Sequence, residues 1–496
     1  MPLRPKKLGS VRSVLTPQRM LINTPLLNLS TCQAVNLWTY GLGTQPTSLN
    51  KSHGAPSTFM MKDFCTRPQS YSKPSGTDNK MALNLSSFGA LPSGILTQPT
   101  PFSLNVPMRD VHRLSAQIDQ ANIAIPQYYN THANPVNGTY GVSRSWLIEA
   151  QETWLSDFDW RAHEEEQNKF PNFRINITLP SDGQAFDLHF AALFSQREDA
   201  VPVTFLHGWP GSWMEFIPVM ELLAEKYTAE TLPYHIVVPS IPDYGLSYRP
   251  EETKELTMAA AGEAINTLMV QLGFGTGYVA QGGDVGSFLS QVLSHHEECK
   301  AYHLNMFFMT SQQRASVANL SVTAREQEML DNAAMWASTG NAYAVEHGTR
   351  PSTISLVLQT NPVAMLAWMG EKFIEWSDNR HSPFPSIDTI LSFVSYYWLT
   401  DSYARAMWAY SELTSVVGGE LPPYNPSLTK PMGYSAFPVE IATLPESWAR
   451  ALFPNLVFYG VHEKGGHFAA LQAPEAFLRD MEQFLEIVKD DVVGQA

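Results

Sequence analysis

The stretch most able to do chemistry is Tyr278-Val-Ala-Gln-Gly-Gly-Asp-Val-Gly-Ser287, in which Gly282 and Gly286 flank Asp284 at minus two and plus two. The pattern reads strand, sharp turn, helix. That is the spacing of a nucleophile elbow, where backbone approaches backbone too closely for a Cβ. A serine at this point would attack a carbonyl after losing a proton. A carboxylate is already ionised and suits displacement at an sp3 carbon, which would leave an alkyl ester on Asp284. Its electrophile must be a strained ring or carry a good leaving group, as epoxides and alkyl halides do. The competing reading of Asp284 is a helix cap after a Gly-rich turn.

Three further segments could complete such a site. Leu206-His-Gly-Trp-Pro-Gly-Ser212 follows an apolar strand and lies about one βα unit before Tyr234. This is the place of the loop that lends a backbone N–H to an oxyanion hole. The N–H groups of Trp209 and Val285 are the candidate donors. His207 is read as holding the loop's shape, and Pro210 is a candidate for a cis peptide. Glu463-Lys-Gly-Gly-His-Phe-Ala-Ala470 follows the last apolar strand, where a general base is expected, so His467 is chosen. Its carboxylate partner should come after the preceding strand, and Glu440 in Met432-Gly-Tyr-Ser-Ala-Phe-Pro-Val-Glu440 is the choice. Such a partner fixes the imidazole tautomer and stabilises the imidazolium. The competing reading of Glu440 is an acid in the first turn of a helix after Pro438. His295-His-Glu-Glu-Cys299 and His163-Glu-Glu-Glu166 are read as solvated helix faces, and His462 with His467 lacks a third metal ligand.

The elements that must position these residues form an α/β pattern. Short apolar runs at VTFLHG, HIVVPSIPDYG (235–245), GYVAQGGD (277–284) and LVFYGV (456–461) are separated by helix-length segments, which implies a mostly parallel sheet covered on both faces. Between about 308 and 425 the strand signal gives way to helical stretches dense in aromatics. A helical insertion over the carboxyl edge of such a sheet is a cap above the ligand site. The chain is therefore divided into a non-globular or targeting extension (1–100), a helical amino-terminal region (101–195), the first part of the core (196–307), the cap (308–425) and the second part of the core (426–496).

Composition narrows the function. The 47 Asp and Glu exceed the 32 Lys and Arg, giving a net charge of −15 that disfavours nucleic acid as a partner. No run of 18 apolar residues occurs, so no membrane span is expected. Cys32, Cys65 and Cys299 are too few and scattered for a disulfide framework or a zinc site, which suits a reducing, cytoplasmic setting. Residues 1–62 carry seven Lys and Arg and no acid, so organelle targeting by the basic amino terminus is the alternative.

From about Pro101 to the carboxyl end the sequence resembles epoxide hydrolases of the α/β-hydrolase fold, the microsomal type and its soluble fungal relatives. The likeness is carried by His-Gly-Trp-Pro-Gly-Ser (207–212), Gly-Gly-Asp-Val-Gly-Ser (282–287), Ser-Ala-Phe-Pro-x-Glu (435–440) and Gly-Gly-His-Phe-Ala-Ala (465–470), in the family's order. Residues 145–173 resemble the amino-terminal region that wraps the catalytic domain in these enzymes. The resemblance implies Asp284 as nucleophile, His467 as base and Glu440 as its partner. It adds two cap tyrosines that donate to the epoxide oxygen, placed by GNAYAVEHGTRP and YWLTDSYARAMWAYSE at Tyr343 and Tyr410, with Tyr397 and Tyr403 as rivals. Donation there spares the reaction the expulsion of a free alkoxide. The expected reaction is cofactor-free hydrolysis of a small apolar epoxide by water. The alternatives are a haloalkane dehalogenase-like hydrolase and a non-catalytic ligand-binding protein of the same fold. Oligomeric state is left open, a homodimer included.

Overall fold

The computed structural model describes residues 85–494 apart from 252, 381–382 and 418–423. Nine strands form one sheet: β1 (Thr100–Phe102), β2 (Asn172–Thr178), β3 (Ala185–Leu193), β4 (Val201–Leu206), β5 (Tyr234–Pro239), β6 (Tyr278–Gly282), β7 (Cys299–Leu304), β8 (Met432–Ala436) and β9 (Leu456–Val461). Their order is β1-β2-β3-β5-β4-β6-β7-β8-β9. The pairs from β5 through β9 are parallel, while β1, β2 and β3 add to one edge antiparallel. Every residue of β4, β5 and β6 is buried. These are the runs without polar alternation, as strands covered on both faces must be. β2 alternates buried with more exposed positions along most of its length, as a strand with one solvated face does.

Register decides where the chemistry sits. Leu206 of β4 lies opposite Gly282 of β6, so the loops carrying Trp209 and Asp284 leave the same carboxyl edge side by side. Ala436 of β8 lies opposite Val461 of β9, which does the same for the loops carrying Glu440 and His467. Beyond those strands the two loops are joined again by a parallel bridge between Val439 and Gly466, with the Val439 N–H donating to the Gly465 carbonyl at 3.3 Å.

Between β7 and β8 the described residues form helices and no strand. Their starts are written in the sequence. Thr323 and Glu326 make a reciprocal capping box, Asn361 caps a helix with Pro362 at its first position, and Ser386 caps Ile387–Leu399. The amino-terminal helix Arg144–Ser156 packs directly on this layer. The Trp154 indole N–H donates to Ser395 Oγ at 3.1 Å, and a Cβ at Gly370 would strike the Trp146 ring.

Residues 101–195, expected to be helical, also contribute β2, β3 and most of β1 to the central sheet. Two further expectations need correction. Residues 85–100, assigned above to a non-globular extension, are packed from Leu85 onward. Leu85 and Phe88 are core residues, Phe194 N–H donates to the Phe88 carbonyl at 2.9 Å, and Leu96 N–H donates to the Gln271 carbonyl at 2.9 Å. A few apolar anchors and backbone bonds to distant partners hold this segment, and neither leaves a periodic signal. The rest of that extension, 1–84, lies outside the described residues. Second, no helix begins after Pro438: Glu440 stands on a loop, and the next helix starts at Glu446.

Candidate active site

Asp284 opens the helix Asp284–Leu293 with φ of 46°. This left-handed conformation costs a residue with a Cβ roughly 1–3 kcal/mol and is retained where the surroundings enforce it. They do so here through glycine. A Cβ at Gly282 would fall on the Gly286 carbonyl, one at Gly286 on the Leu206 carbonyl, and one at Gly208 on the Asp284 carboxylate itself. The Trp209 N–H reaches across the vacated space and donates to Asp284 Oδ1 at 2.8 Å. The Trp209–Pro210 peptide is cis.

The other carboxylate oxygen, Oδ2, lies 3.3 Å from His467 Nε2, and His467 Nδ1 lies 2.7 Å from Glu440 Oε1. Glu440 Oε1 also accepts the Ile441 N–H at 2.7 Å, which orients the carboxylate toward the imidazole. The histidine loop is held from above as well. His467 N–H donates to the Trp376 carbonyl at 3.0 Å, and any side chain at Gly466 would collide with that carbonyl. Asp284, His467 and Glu440 therefore form one unbroken chain across three loops.

Tyr343 on the helix Ala342–Thr349 and Tyr410 on the helix Trp408–Val417 are both buried. With Asp284 and Val285 they line a cavity of about 300 Å3 whose other walls include Phe288, Phe308 and Trp336. The Tyr343 ring stacks on Trp209 (centroids 5.2 Å apart) and meets Tyr410 edge-on at 5.8 Å. Burial first, and the Asp284 charge with it, holds both phenols well above their usual range, so both are neutral donors at ordinary pH. The rival tyrosines are engaged elsewhere. Tyr397 donates to the Gly211 carbonyl at 2.8 Å, and the Tyr403 hydroxyl meets His347 Nε2 at 3.1 Å.

Two histidine clusters depart from the solvated helix faces expected above. His295-His-Glu-Glu-Cys299 is a turn after the helix that ends at Leu293 and runs into β7, where Cys299 is fully buried. In the helical His163–Glu166 segment Glu164 is buried and accepts the Val106 N–H at 2.7 Å. His207 Nε2 accepts the Ile241 N–H at 3.1 Å, and burial lowers its imidazole to about 4, so it is a neutral brace for the loop. His462 pairs with Asp480 at 2.6 Å and stacks on Phe437. His163 pairs with Asp388, and His295 contacts the Asn425 carbonyl. Among the described residues no group of three or more His, Cys, Asp or Glu is placed to hold a metal ion.

Comparison with known proteins adds the family. The model for the epoxide hydrolase N terminus matches residues 99–216, and that for the alpha/beta hydrolase fold matches residues 201–360. The solved Aspergillus niger epoxide hydrolase is 41% identical, with a TM-score of 0.72, covering 81% of this chain and all of the other. This chain belongs to the epoxide hydrolase family of the α/β-hydrolase fold. A Dothistroma septosporum protein provisionally named an epoxide hydrolase is 41% identical over 401 residues, 81% of this chain and 93% of its own. Rabbit (Oryctolagus cuniculus) epoxide hydrolase 1 is 27% identical over 435 residues, 81% of this chain and 92% of its own. Among the described residues no helix of the enzyme is long and apolar enough to cross a membrane.

Two side chains at the site are absent from the sequence reading. His347, one turn after Tyr343, packs on Trp209, Tyr343 and Tyr410, and its Nε2 accepts the Trp368 indole N–H at 2.9 Å. Spacing of i, i+4 on one helix face could have found it. Glu215 lies deep beside Asp284 and His467. Its only signal is an isolated acid in the apolar run Trp-Met-Glu-Phe-Ile-Pro-Val-Met, 213–220.

Burial alone would lower the His467 imidazole, but the Glu440 and Asp284 carboxylates at its two nitrogens outweigh that effect and raise it to about 10. The interaction stabilises the fold fully below about pH 6.5, the free value, and is lost as pH rises through the folded value. Asp284→Asn removes one of the two negative charges. Its His467, followed by NMR of the ring protons, should titrate at lower pH than in the parent; an unchanged midpoint would contradict this electrostatic coupling.

Proposed function

We propose that the enzyme converts apolar epoxides to vicinal diols through an alkyl ester on Asp284. The observation that carries the reading is that two spaces meet at this one carboxylate. On one side is the large apolar cavity with two neutral phenols, and on the other is a small hollow lined by His467. In the first step Oδ2 bonds to an epoxide carbon as the ring C–O bond breaks, and Tyr343 and Tyr410 donate to the departing oxygen. Oδ1 stays on the Trp209 N–H. Ester formation removes the Asp284 charge, which leaves His467 readier to give up a proton and act as base. Water then adds to Cγ while its proton passes to His467, Glu440 supports the imidazolium, and the N–H groups of Trp209 and Val285 hold the oxyanion. Collapse breaks the Cγ–Oδ2 bond, and the leaving oxygen takes the second water proton. The proton that His467 gave up after ester formation is the one taken by the ring-derived oxygen, so a neutral diol leaves and the carboxylate is restored. In this reading 308–425 is the cap that supplies the phenols and 101–195 the wrapping region.

The substrate class is tested with a panel of aryl, terpenoid and fatty-acyl epoxides, diol formation being followed by chromatography beside halide release from alkyl halides. Diols without halide are expected; halide release at comparable rates would favour dehalogenation. In the same assay Tyr410→Phe should lose about 10²-fold in kcat/KM, the usual effect of removing one donor from a developing oxyanion. Its melting temperature should move by less than about 3 °C, since one hydroxyl contributes about 1 kcal/mol. Parallel loss of activity and stability would make Tyr410 a packing residue only.

A further inference from the structure

We propose that Glu215 is a positioning residue for the water that hydrolyses the Asp284 ester, an assignment that rests on the ester mechanism above and extends it. The chain delivers this carboxyl to the site through a local turn. Ser212 caps the short helical turn Trp213–Phe216, and the Glu215 N–H donates to the Ser212 carbonyl at 3.0 Å. The side chain then passes back over Gly211, where any Cβ would overlap Glu215 Oε1. The Tyr397 hydroxyl, donating to the Gly211 carbonyl at 2.8 Å, pins that turn from the helical layer.

The carboxyl ends in a hollow of about 20 Å3 lined by Asp284, His467, Gln281 and Asn305, with Trp209 and Gly208 as its roof. That space is large enough for one water, and a buried water needs two to four polar partners. Gln281 offers one independently of Glu215. It is fully buried, its Nε2 donates to Asn305 Oδ1 at 2.9 Å, and its Oε1 has no hydrogen-bond partner among the described residues. An orphaned acceptor of this kind, in a polar hollow of one-water size, points to an O–H donor beside it.

Burial pushes the Glu215 carboxyl up to about 8, the His467 charge opposing and the Asp284 charge adding to the rise. At neutral pH it is therefore mostly a carboxylic acid, able both to donate to water and to accept from it. Held between Glu215, Gln281 and His467, the water lies on the side of Asp284 away from the large cavity. Its oxygen bonds to Cγ, its proton goes to His467 Nε2, and the Cγ–O bond to the alkyl group breaks as the diol leaves with a proton. Glu215 exchanges no proton in this sequence; it fixes where the water sits.

The test separates the two chemical steps. Enzyme in excess is mixed with one epoxide, quenched at intervals, and the ester on the Asp284 peptide is followed by mass spectrometry. Glu215→Leu and Glu215→Ala should form the ester within about two-fold of the parental rate and hydrolyse it 10- to 100-fold more slowly, the range expected when a reactant loses its fixed position. Glu215→Gln, which keeps a donor and an acceptor, should hydrolyse it within about three-fold of the parent. Parental hydrolysis in the Leu and Ala variants would overturn the assignment, as would equal slowing of both steps in all three. If the parent forms no ester at all, the mechanism itself fails and the assignment with it; an ester that decays normally without Glu215 defeats the assignment alone.

Discussion

Asp284→Ala should lower diol formation by on the order of 10⁵-fold, the scale on which loss of a nucleophile acts when its partners work as a unit. Nothing else at the site can replace it. The phenols are neutral and line the apolar cavity, and His467 lines the small hollow beside the carboxylate rather than that cavity. The fold has no comparable dependence on this side chain, since the elbow is shaped by Gly208, Gly282 and Gly286 and by the pairing of β4 with β6. The variant should melt within a few degrees of the parent while the Trp209 N–H loses its carboxylate acceptor. Diol measured at more than about a hundredth of the parental rate would place the nucleophile elsewhere.

His467→Gln should separate the two halves of the reaction. In the proposed mechanism ring opening needs the Asp284 carboxylate and the two phenols but not His467, so an ester should still form, to one equivalent per chain. Its hydrolysis should fall by about 10²- to 10⁴-fold, the range spanned by loss of a positioned general base. Turnover would then stop with the alkylated peptide accumulated, visible by mass spectrometry. The same change leaves Glu440 buried without its cation, and breaking such a pair costs about 3–5 kcal/mol. The variant should therefore melt lower, and the ester is counted per folded chain. A folded variant that turns over normally, or that never takes up the alkyl group, would contradict the division of labour between Asp284 and His467.

What could be read from the sequence divides along physical lines. β4, β5, β6 and β9 are visible as apolar runs because three of them are buried on both faces and the fourth closes the parallel set. β2 and β3 alternate with polar residues and follow strongly helical segments. β7, Cys-Lys-Ala-Tyr-His-Leu, contains Lys300 and a fully buried His303, and β8 is five residues with a Gly and a Ser. None of these four announces itself. Asp284, His467 and Glu440 are readable because chain order and flanking glycines constrain them locally. The phenols are not: Tyr343 and Tyr410 came from family likeness. What separates them from Tyr397 and Tyr403 is that the latter pair spend their hydroxyls on Gly211 and His347, partners far apart in sequence. Glu215 was invisible because its position depends on a turn that exists only once Gly211 leaves room for it.

The most direct test follows one oxygen atom. In a single turnover in water enriched in heavy oxygen, with enzyme in excess over epoxide, the peptide containing Asp284 should gain one labelled oxygen while the first diol released carries none. Label found in that first diol and missing from the Asp284 peptide would mean that water attacks the epoxide directly and that no ester forms.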